Sequence, residues 1–88
     1  MKYFRLYSES LEGDEGYLYC EVSPNNLIVR QVNVFGKKMY WADAYSQGNE
    51  SYLFTDQPEF NDDDAIEGQE ISVEEFENIW TLSKELCQ

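Results

Sequence analysis

The sequence contains no histidine, and this absence removes several kinds of active site at once. Ser-His-Asp and Cys-His nucleophilic sites, histidine general bases and zinc sites with histidine ligands all require an imidazole. An enzyme built from this chain would have to work through paired carboxylates, and no pair of acids has the apolar, glycine-shaped surroundings of a pocket. We therefore predict a protein that is not an enzyme, with no catalytic residues and no cofactor.

Cysteine is also scarce. Cys20 and Cys87 lie far apart and lack the close CxxC spacing of a metal or redox site, so we predict no metal ligands. We interpret both as reduced, buried thiols, with one long-range disulfide as the open alternative. The N-terminus does not continue into the apolar stretch of a signal peptide, and no apolar run approaches the roughly 18 residues that span a bilayer. These features predict a soluble cytoplasmic protein.

Basic residues are few as well. Six Lys and Arg stand against 18 Asp and Glu in 88 residues, which gives a formal net charge of −12. This charge repels phosphate backbones and anionic lipid heads, so we expect no direct binding to nucleic acid or to a membrane surface. The length suits a single domain over residues 1–88, and an aromatic content of 16% supplies enough apolar material for it to fold.

The acids are concentrated in the second half of the chain. Residues 1–47 sum to −1, whereas residues 48–88 sum to −11 and contain one base, Lys84. Between Asp56 and Glu77 there are ten carboxylates and no base, so these side chains cannot neutralise one another locally. This acidic segment is either a solvated loop that keeps the protein soluble or a surface that attracts a basic partner.

The first half has the alternating apolar pattern of β-strands. The predicted strands cover residues 2–8, 17–23, 27–35 and 39–45. Residues 23–26, Ser-Pro-Asn-Asn, supply the turn of a first hairpin, and Gly36 begins the turn of a second. Residues 46–69 have the composition of a loop, interrupted by the short apolar run 51–55.

A C-terminal amphipathic helix follows residue 72. Ser72 and Glu75 form an S-x-x-E capping box, and Ile71 and Phe76 have the spacing of a hydrophobic staple. At about 100° per residue one arc of this helix is apolar and contains Val73, Phe76, Ile79, Trp80, Leu86 and Cys87. The fold prediction is α+β: an antiparallel meander of about four or five strands with this helix packed on one face.

Four tyrosines of the first two strands share one strand parity, opposite to the apolar residues of the same strands: Tyr3, Tyr7, Tyr17 and Tyr19. This parity would place them on the sheet face that the helix leaves uncovered. They either pack across neighbouring strands or form an interface through which the protein self-associates or joins an assembly.

Several short segments resemble a small uncharacterised bacterial domain family, over about residues 17–80. The matching segments are residues 19–22 (YCEV), 29–32 (VRQV), 35–36 (FG), 40–43 (YWAD) and 71–77 (ISVEEFE), followed by Trp80. The resemblance implies a single-domain protein of about this length, with some members found among toxin-immunity genes. The family has no assigned activity, so no catalytic residue carries over.

The acidic segment and the aromatic residues of the fourth strand are the candidate binding site for a protein partner. Concentrated negative potential steers basic partners, and aromatic side chains anchor interfaces. The candidate residues are Asp62, Asp63, Asp64, Glu67, Glu70, Tyr40 and Trp41.

The leading hypothesis is a non-enzymatic acidic binding protein, specifically a bacterial immunity-type inhibitor that occludes a basic partner. One alternative is a carboxylate-based site in the same segment that binds a divalent metal or hydrolyses a substrate. A second alternative is a subunit that self-associates, or joins an assembly, through a tyrosine-rich sheet face.

Overall fold

A computed structural model of the protein describes residues 1–9, 13, 15–36, 38–43, 59–60 and 67–86. In this part of the chain, one antiparallel sheet carries one packed helix. The elements are β1 (Lys2–Glu9), β2 (Glu15–Val22), β3 (Ile28–Phe35), β4 (Lys38–Asp43), β5 (Gln69–Ile71) and α1 (Val73–Leu86). The strands lie in the order β4-β3-β2-β1-β5. The predicted α+β fold is confirmed.

The turn between β2 and β3 has the geometry that its sequence predicts. The Ser23 amide donates to the Leu27 carbonyl at 2.8 Å, and the Asn26 amide donates to the Ser23 carbonyl at 2.9 Å. Asn26 adopts a φ of 61°, a left-handed conformation that asparagine tolerates. Gly36, with a φ of 63°, begins the turn into β4. Both predicted hairpins are therefore confirmed.

β5 is the strand that the sequence pattern did not reveal. The sequence predicts mostly loop for residues 46–69, but β5 begins at Gln69 and pairs antiparallel with β1, with Tyr3 opposite Ile71 and Arg5 opposite Gln69. The Arg5 Nη2 donates to the Gln69 Oε1 at 2.5 Å across this pair. Three residues are too few to show an alternating pattern, so only the pairing with β1 defines this strand. The apolar run 51–55 and residues 44–45 of the predicted fourth strand lie outside the described residues.

One face of the sheet carries a mainly aliphatic core. Its members are Phe4, Cys20, Val22, Ile28 and Phe60, with Leu6 packed against them. The Phe60 ring centroid lies 4.7 Å from that of Phe4, and the Phe60 amide donates to the Asn26 carbonyl at 2.8 Å. The Cys20 thiol is fully buried and contacts the Phe4 carbonyl at 3.8 Å, which confirms the prediction of a buried thiol at this position.

A β-bulge turns Ile28 toward this core. Glu21 lies opposite Arg30, but the next residue, Val22, lies opposite Ile28, so the register passes over Val29. An extra residue in one strand reverses the side-chain alternation beyond it. Ile28 therefore packs beside Val22, although it shares its sequence parity with Arg30, which lies on the other face.

The helix covers the tyrosine side of the sheet, which corrects the expectation that these residues line a helix-free face. The Tyr3 ring centroid lies 5.2 Å from that of Phe76, which is fully buried. Strand pairing places Tyr7 and Tyr17 on the same face as Tyr3, and both remain exposed, at 61% and 44%. Both faces of the sheet are apolar enough to be covered. Phe60 packs on the aliphatic face, and the helix packs on the face that carries the tyrosines.

The start of α1 follows the sequence prediction. The Glu75 amide donates to the Ser72 hydroxyl at 3.1 Å, which confirms the Ser72 half of the capping box. Glu74 and Glu75 in the first turn and Lys84 in the last agree with the helix dipole.

The buried face of α1 differs in part from the predicted apolar arc. Phe76 is buried and Trp80 is half-buried, but Val73 is 50% exposed. Ser83 is fully buried instead, and its hydroxyl donates to the Trp80 carbonyl at 2.7 Å. A small polar residue fits here because its hydroxyl is satisfied within the helix. Cys87 of the predicted arc lies outside the described residues.

We predict that Gly16→Ala destabilises the fold by about 1–3 kcal/mol, because a Cβ at this position in β2 has no room. It would overlap with the Val34 carbonyl oxygen and lie 2.7 Å from the Phe35 Cδ1. The control is Gly36→Asn, at a positive φ with no atom near the added Cβ, which should change the free energy of unfolding by less than about 1 kcal/mol. Equal effects of the two substitutions in urea unfolding would contradict a close approach of β2 and β3 at Gly16.

Candidate functional site

Four exposed acidic residues lie close together in sequence where β5 leads into α1. Glu67 precedes β5, Glu70 lies within it, and Glu74 and Glu75 lie in the first turn of the helix. We call these four residues the acidic corner. It contains two of the candidate partner-binding residues, Glu67 and Glu70. The other acidic candidates, Asp62 to Asp64, lie outside the described residues.

No base of the described chain forms an ion pair with the acidic corner. The ion pairs among the described residues join Arg30 to Glu21 and to Glu77. The sequence explains this, because no Lys or Arg occurs between Lys38 and Lys84. The corner therefore presents its negative charge to solvent with no internal counterion in this part of the structure.

The aromatic candidates, Tyr40 and Trp41, do not lie beside the acidic corner. Both belong to β4, which forms the opposite edge of the sheet from β5. Four strand spacings, or about 19 Å, separate these two edges. Neighbouring residues of a strand also point to opposite faces, so Trp41 lies on the helix side and Tyr40 on the other. The structure thus divides the predicted site into two separate regions.

Arg30 joins the sheet to the helix through charge. Its Nε donates to the Glu21 Oε1 at 2.7 Å and its Nη2 to the Glu21 Oε2 at 2.8 Å, a bidentate pair between β3 and β2. The same Nη2 donates to the Glu77 Oε1 of α1 at 2.5 Å. Glu21 also accepts a hydrogen bond of 2.9 Å from the Tyr3 hydroxyl. Both carboxylate oxygens of Glu21 are therefore engaged, on a side chain that is 9% exposed.

Arg30 also lies against the aromatic rings of the helix. Its Cζ is 5.0 Å from the ring centroid of Phe76 and 5.0 Å from that of Trp80. Phe76 and Trp80 are four residues apart on α1, and their rings stack at 6.3 Å. A guanidinium in such a place gains both cation–π attraction and hydrogen bonds to the carboxylates. We call this set, Tyr3, Glu21, Arg30, Phe76, Glu77 and Trp80, the Arg30 seam.

The ionisation of the Arg30 seam is set by its own contacts. The hydrogen bonds from Arg30 lower the pKa of Glu21 and outweigh burial, which acts in the opposite direction. The bonds to Glu21 raise the pKa of Arg30 still further above its usual range. Burial raises the pKa of Tyr3, and the hydrogen bond that Tyr3 donates to Glu21 adds to this effect.

A second cation lies at the far end of the helix. The Lys84 Nζ is 4.7 Å from the ring centroid of Trp41 and 5.4 Å from that of Trp80. The two indoles meet edge to face, with centroids 5.5 Å apart and planes at 76°. On the same side of the sheet the Arg5 Cζ is 4.8 Å from the Tyr17 centroid. Arg5, Arg30 and Lys84 thus all contact aromatic rings.

The Arg30 seam is not among the sites predicted from sequence, although two signals for it are present. Arg30 and Val32 share a strand parity, and a charged residue on a buried parity normally requires a partner inside the protein. Lys84 lies four residues after Trp80, which places the two side chains on the same side of the helix. Neither signal identifies the partners, because Glu21 and Trp41 belong to other strands.

The seam is suited to packing and not to acid–base chemistry, because its carboxylate and its guanidinium neutralise each other. Among the described residues, no three His, Cys, Asp or Glu side chains gather closely enough to hold a metal ion. In the same part of the chain, no helix is both long and apolar enough to cross a membrane. Comparisons with protein-family models, curated proteins and solved structures found no match. The resemblance to the small bacterial domain family stays a prediction.

We predict that Arg30→Met lowers the free energy of unfolding by about 2–4 kcal/mol, because it leaves the buried Glu21 carboxylate without its counterion. Arg30→Lys should cost less, since it keeps the charge but loses the bidentate geometry. The control is Lys38→Met, at an exposed position, with an expected change within about 0.5 kcal/mol. Chemical unfolding measures all three variants, and equal stability of Arg30→Met and Lys38→Met would contradict a structural role for the seam.

The pKa shifts predict loss of stability at both ends of the pH range. The lowered pKa of Glu21 gives stability that is present above its ordinary value of 4.5 and is lost as the pH falls through the lowered pKa. The raised pKa of Tyr3 gives stability that is present below its ordinary value of 10.0 and is lost as the pH rises through the raised pKa. Unfolding free energies measured against pH should therefore fall less steeply in acid for Glu21→Gln and in alkali for Tyr3→Phe. Slopes identical to those of the unsubstituted protein would count against these assignments.

Proposed function

We propose that the protein is a non-enzymatic acidic binding domain that captures a basic protein partner through the acidic corner. In its most specific form the proposal is a bacterial immunity-type inhibitor, which covers the basic surface that its partner needs for activity. Asp62, Asp63 and Asp64 precede the corner in sequence and extend the same run of negative charge. A cytoplasmic location, which the low cysteine content supports, is part of this proposal.

One observation carries the proposal: among the described residues, no Lys or Arg forms an ion pair with the acids of the corner. Arg30 and Lys84 contact aromatic rings between sheet and helix, whereas Glu67, Glu70 and Glu74 are exposed. Arg5, which lies beside β5, donates to Gln69 and forms no ion pair with the corner. The negative charge of these acids is therefore available to a partner.

Concentrated and exposed charge acts mainly on the rate of association. A surface of one sign attracts an oppositely charged partner over a distance of about a Debye length, near 10 Å at 0.1 M salt. Such steering raises association rates by about 10- to 1,000-fold and weakens as salt screens it. Capture that depends strongly on salt is therefore the expected signature of this surface.

The corner is also held in place by the fold, which favours binding because little order has to be gained. β5 pairs with β1, and Ser72 caps the helix directly after β5. The amide dipoles at the start of the helix stabilise the negative charges of Glu74 and Glu75. Carboxylates on such a frame lose less conformational entropy on binding than the same residues on a free loop.

The test is capture of proteins from an extract of the native host on the immobilised protein, followed by elution in a salt gradient. We expect a specific basic protein, identified by mass spectrometry, to be released at moderate salt. The variant Glu67→Lys/Glu70→Lys should retain this protein much less than the unsubstituted chain does, because it reverses charge at the corner.

The matched control is Glu15→Lys/Glu85→Lys, which changes the net charge by the same amount at two exposed positions away from the corner. Glu85 lies about 16 Å along the helix from Glu74. The control should retain the captured protein nearly as well as the unsubstituted chain. If both double variants lose it equally, net charge and not the corner governs retention, and the proposed surface is wrong.

A further inference from the structure

Trp41 of β4 and Trp80 of α1 form an aromatic corner that already contacts a cation. The two rings meet edge to face at 5.5 Å, and the Lys84 ammonium lies near both, at 4.7 Å from Trp41 and 5.4 Å from Trp80. Both indoles are half-buried and Lys84 is exposed. We call Trp41 and Trp80 the tryptophan corner. The contact with Lys84 places a positive charge against both rings.

Lys84 differs from the other cation of this region in how firmly it is held. Arg30 is fixed by two hydrogen bonds to Glu21 and one to Glu77, and its side chain is 23% exposed. Lys84 forms no ion pair with any described residue and reaches the rings through a flexible four-carbon chain. Displacing Lys84 therefore costs only its contact with the rings, and its ammonium regains hydration in solvent.

We propose that the tryptophan corner is the docking point for an arginine side chain of the basic partner, and that Lys84 is an internal occupant which this side chain displaces. The inference rests on the proposed function and adds to it the place and the chemistry of a second contact. An arginine is favoured over a lysine because its guanidinium is planar, is less strongly hydrated and stacks on aromatic faces. The net charge of −12 complements such a partner.

The helix end of the acidic corner, at Glu74, and the tryptophan corner lie close enough for one partner to contact both. The helix begins beside β1, where Phe76 meets Tyr3, and reaches β4, where Trp80 meets Trp41. Six residues of helix separate Glu74 from Trp80, a rise of about 9 Å. A standard protein interface covers about 800 Å² on each partner, which is wide enough to include both places. Trp41 thus keeps the partner-binding role predicted for it, in a location away from the acids.

The test compares Lys84→Gln with Lys38→Gln, which changes the charge equally at an exposed lysine of the sheet edge. The probe is a tetra-arginine peptide amide, titrated while the tryptophan fluorescence is recorded. The chain has two tryptophans, and both belong to the corner, so the signal reports on the site itself. We expect Lys84→Gln to bind the peptide about two- to five-fold more tightly than Lys38→Gln, because the rings have lost their internal cation.

A further variant, Trp41→Leu, shows whether the rings cause the gain. In Trp41→Leu/Lys84→Gln the advantage over Lys38→Gln should disappear, with Trp80 as the remaining fluorophore. Thermal unfolding of each variant confirms that it is folded under the conditions of the titration. Equal peptide affinity of Lys84→Gln and Lys38→Gln, with both folded, would overturn the inference and leave the Lys84 contact as a purely structural one.

The same titration separates this inference from the proposed function. Glu67→Lys/Glu70→Lys should weaken peptide binding in the Lys84→Gln and Lys38→Gln backgrounds alike, because it removes attraction at the acidic corner. If charge reversal weakens binding but Lys84→Gln gives no gain, the inference about the tryptophan corner is wrong and the proposed role of the acidic corner is supported. If Lys84→Gln gives the gain but charge reversal has no effect, binding at the tryptophan corner is supported and the proposed role of the acidic corner is wrong.

Discussion

The guanidinium of Arg30 is the contact on which the arrangement of this protein depends. It links β3 to β2 through Glu21 and to the helix through Glu77, and it lies against Phe76 and Trp80 of the helix. A buried charge is costly unless carboxylates and hydrogen bonds replace the water that it loses. Both are present here, so the same contact that removes the charge of Glu21 from water also fixes where the helix lies on the sheet.

This use of Arg30 explains how a chain with so few bases remains folded. Self-repulsion among 18 acids opposes compaction, and six bases cannot neutralise them all. Arg30 acts where charge is worth most, in a partly buried contact with rings and carboxylates, where screening by water is weak. The acids of the corner stay in solvent, where high dielectric and salt reduce their mutual repulsion. The internal ion pair of Arg30 and the unpaired acids of the corner are thus two consequences of the same shortage of basic residues.

The local elements of the fold could be predicted from sequence, whereas the face on which the helix packs could not. The Ser72 cap, the turn at Asn26 and the strand alternation depend on neighbouring residues, so their signals are contained in short segments. The choice of face depends on Phe60 and Arg30, which act from distant parts of the chain. The bulge that turns Ile28 toward the aliphatic core, and the pairing of β5 with β1, likewise have no local signal. For the site, Glu67 and Glu70 of the corner are among the residues predicted from sequence, but their separation from Trp41 follows from strand order alone.

The same interaction of cations with aromatic rings serves folding at one end of the helix and is available for binding at the other. The difference lies in the cation. Arg30 has a planar fork that two carboxylates hold, so its removal leaves a buried charge and the contact is permanent. Lys84 is a point charge on a flexible chain near two rings, and solvent can take it back at little cost. A partner's arginine arriving at the tryptophan corner would complete there the kind of contact that Arg30 already makes within the fold, and the fold itself would not have to change.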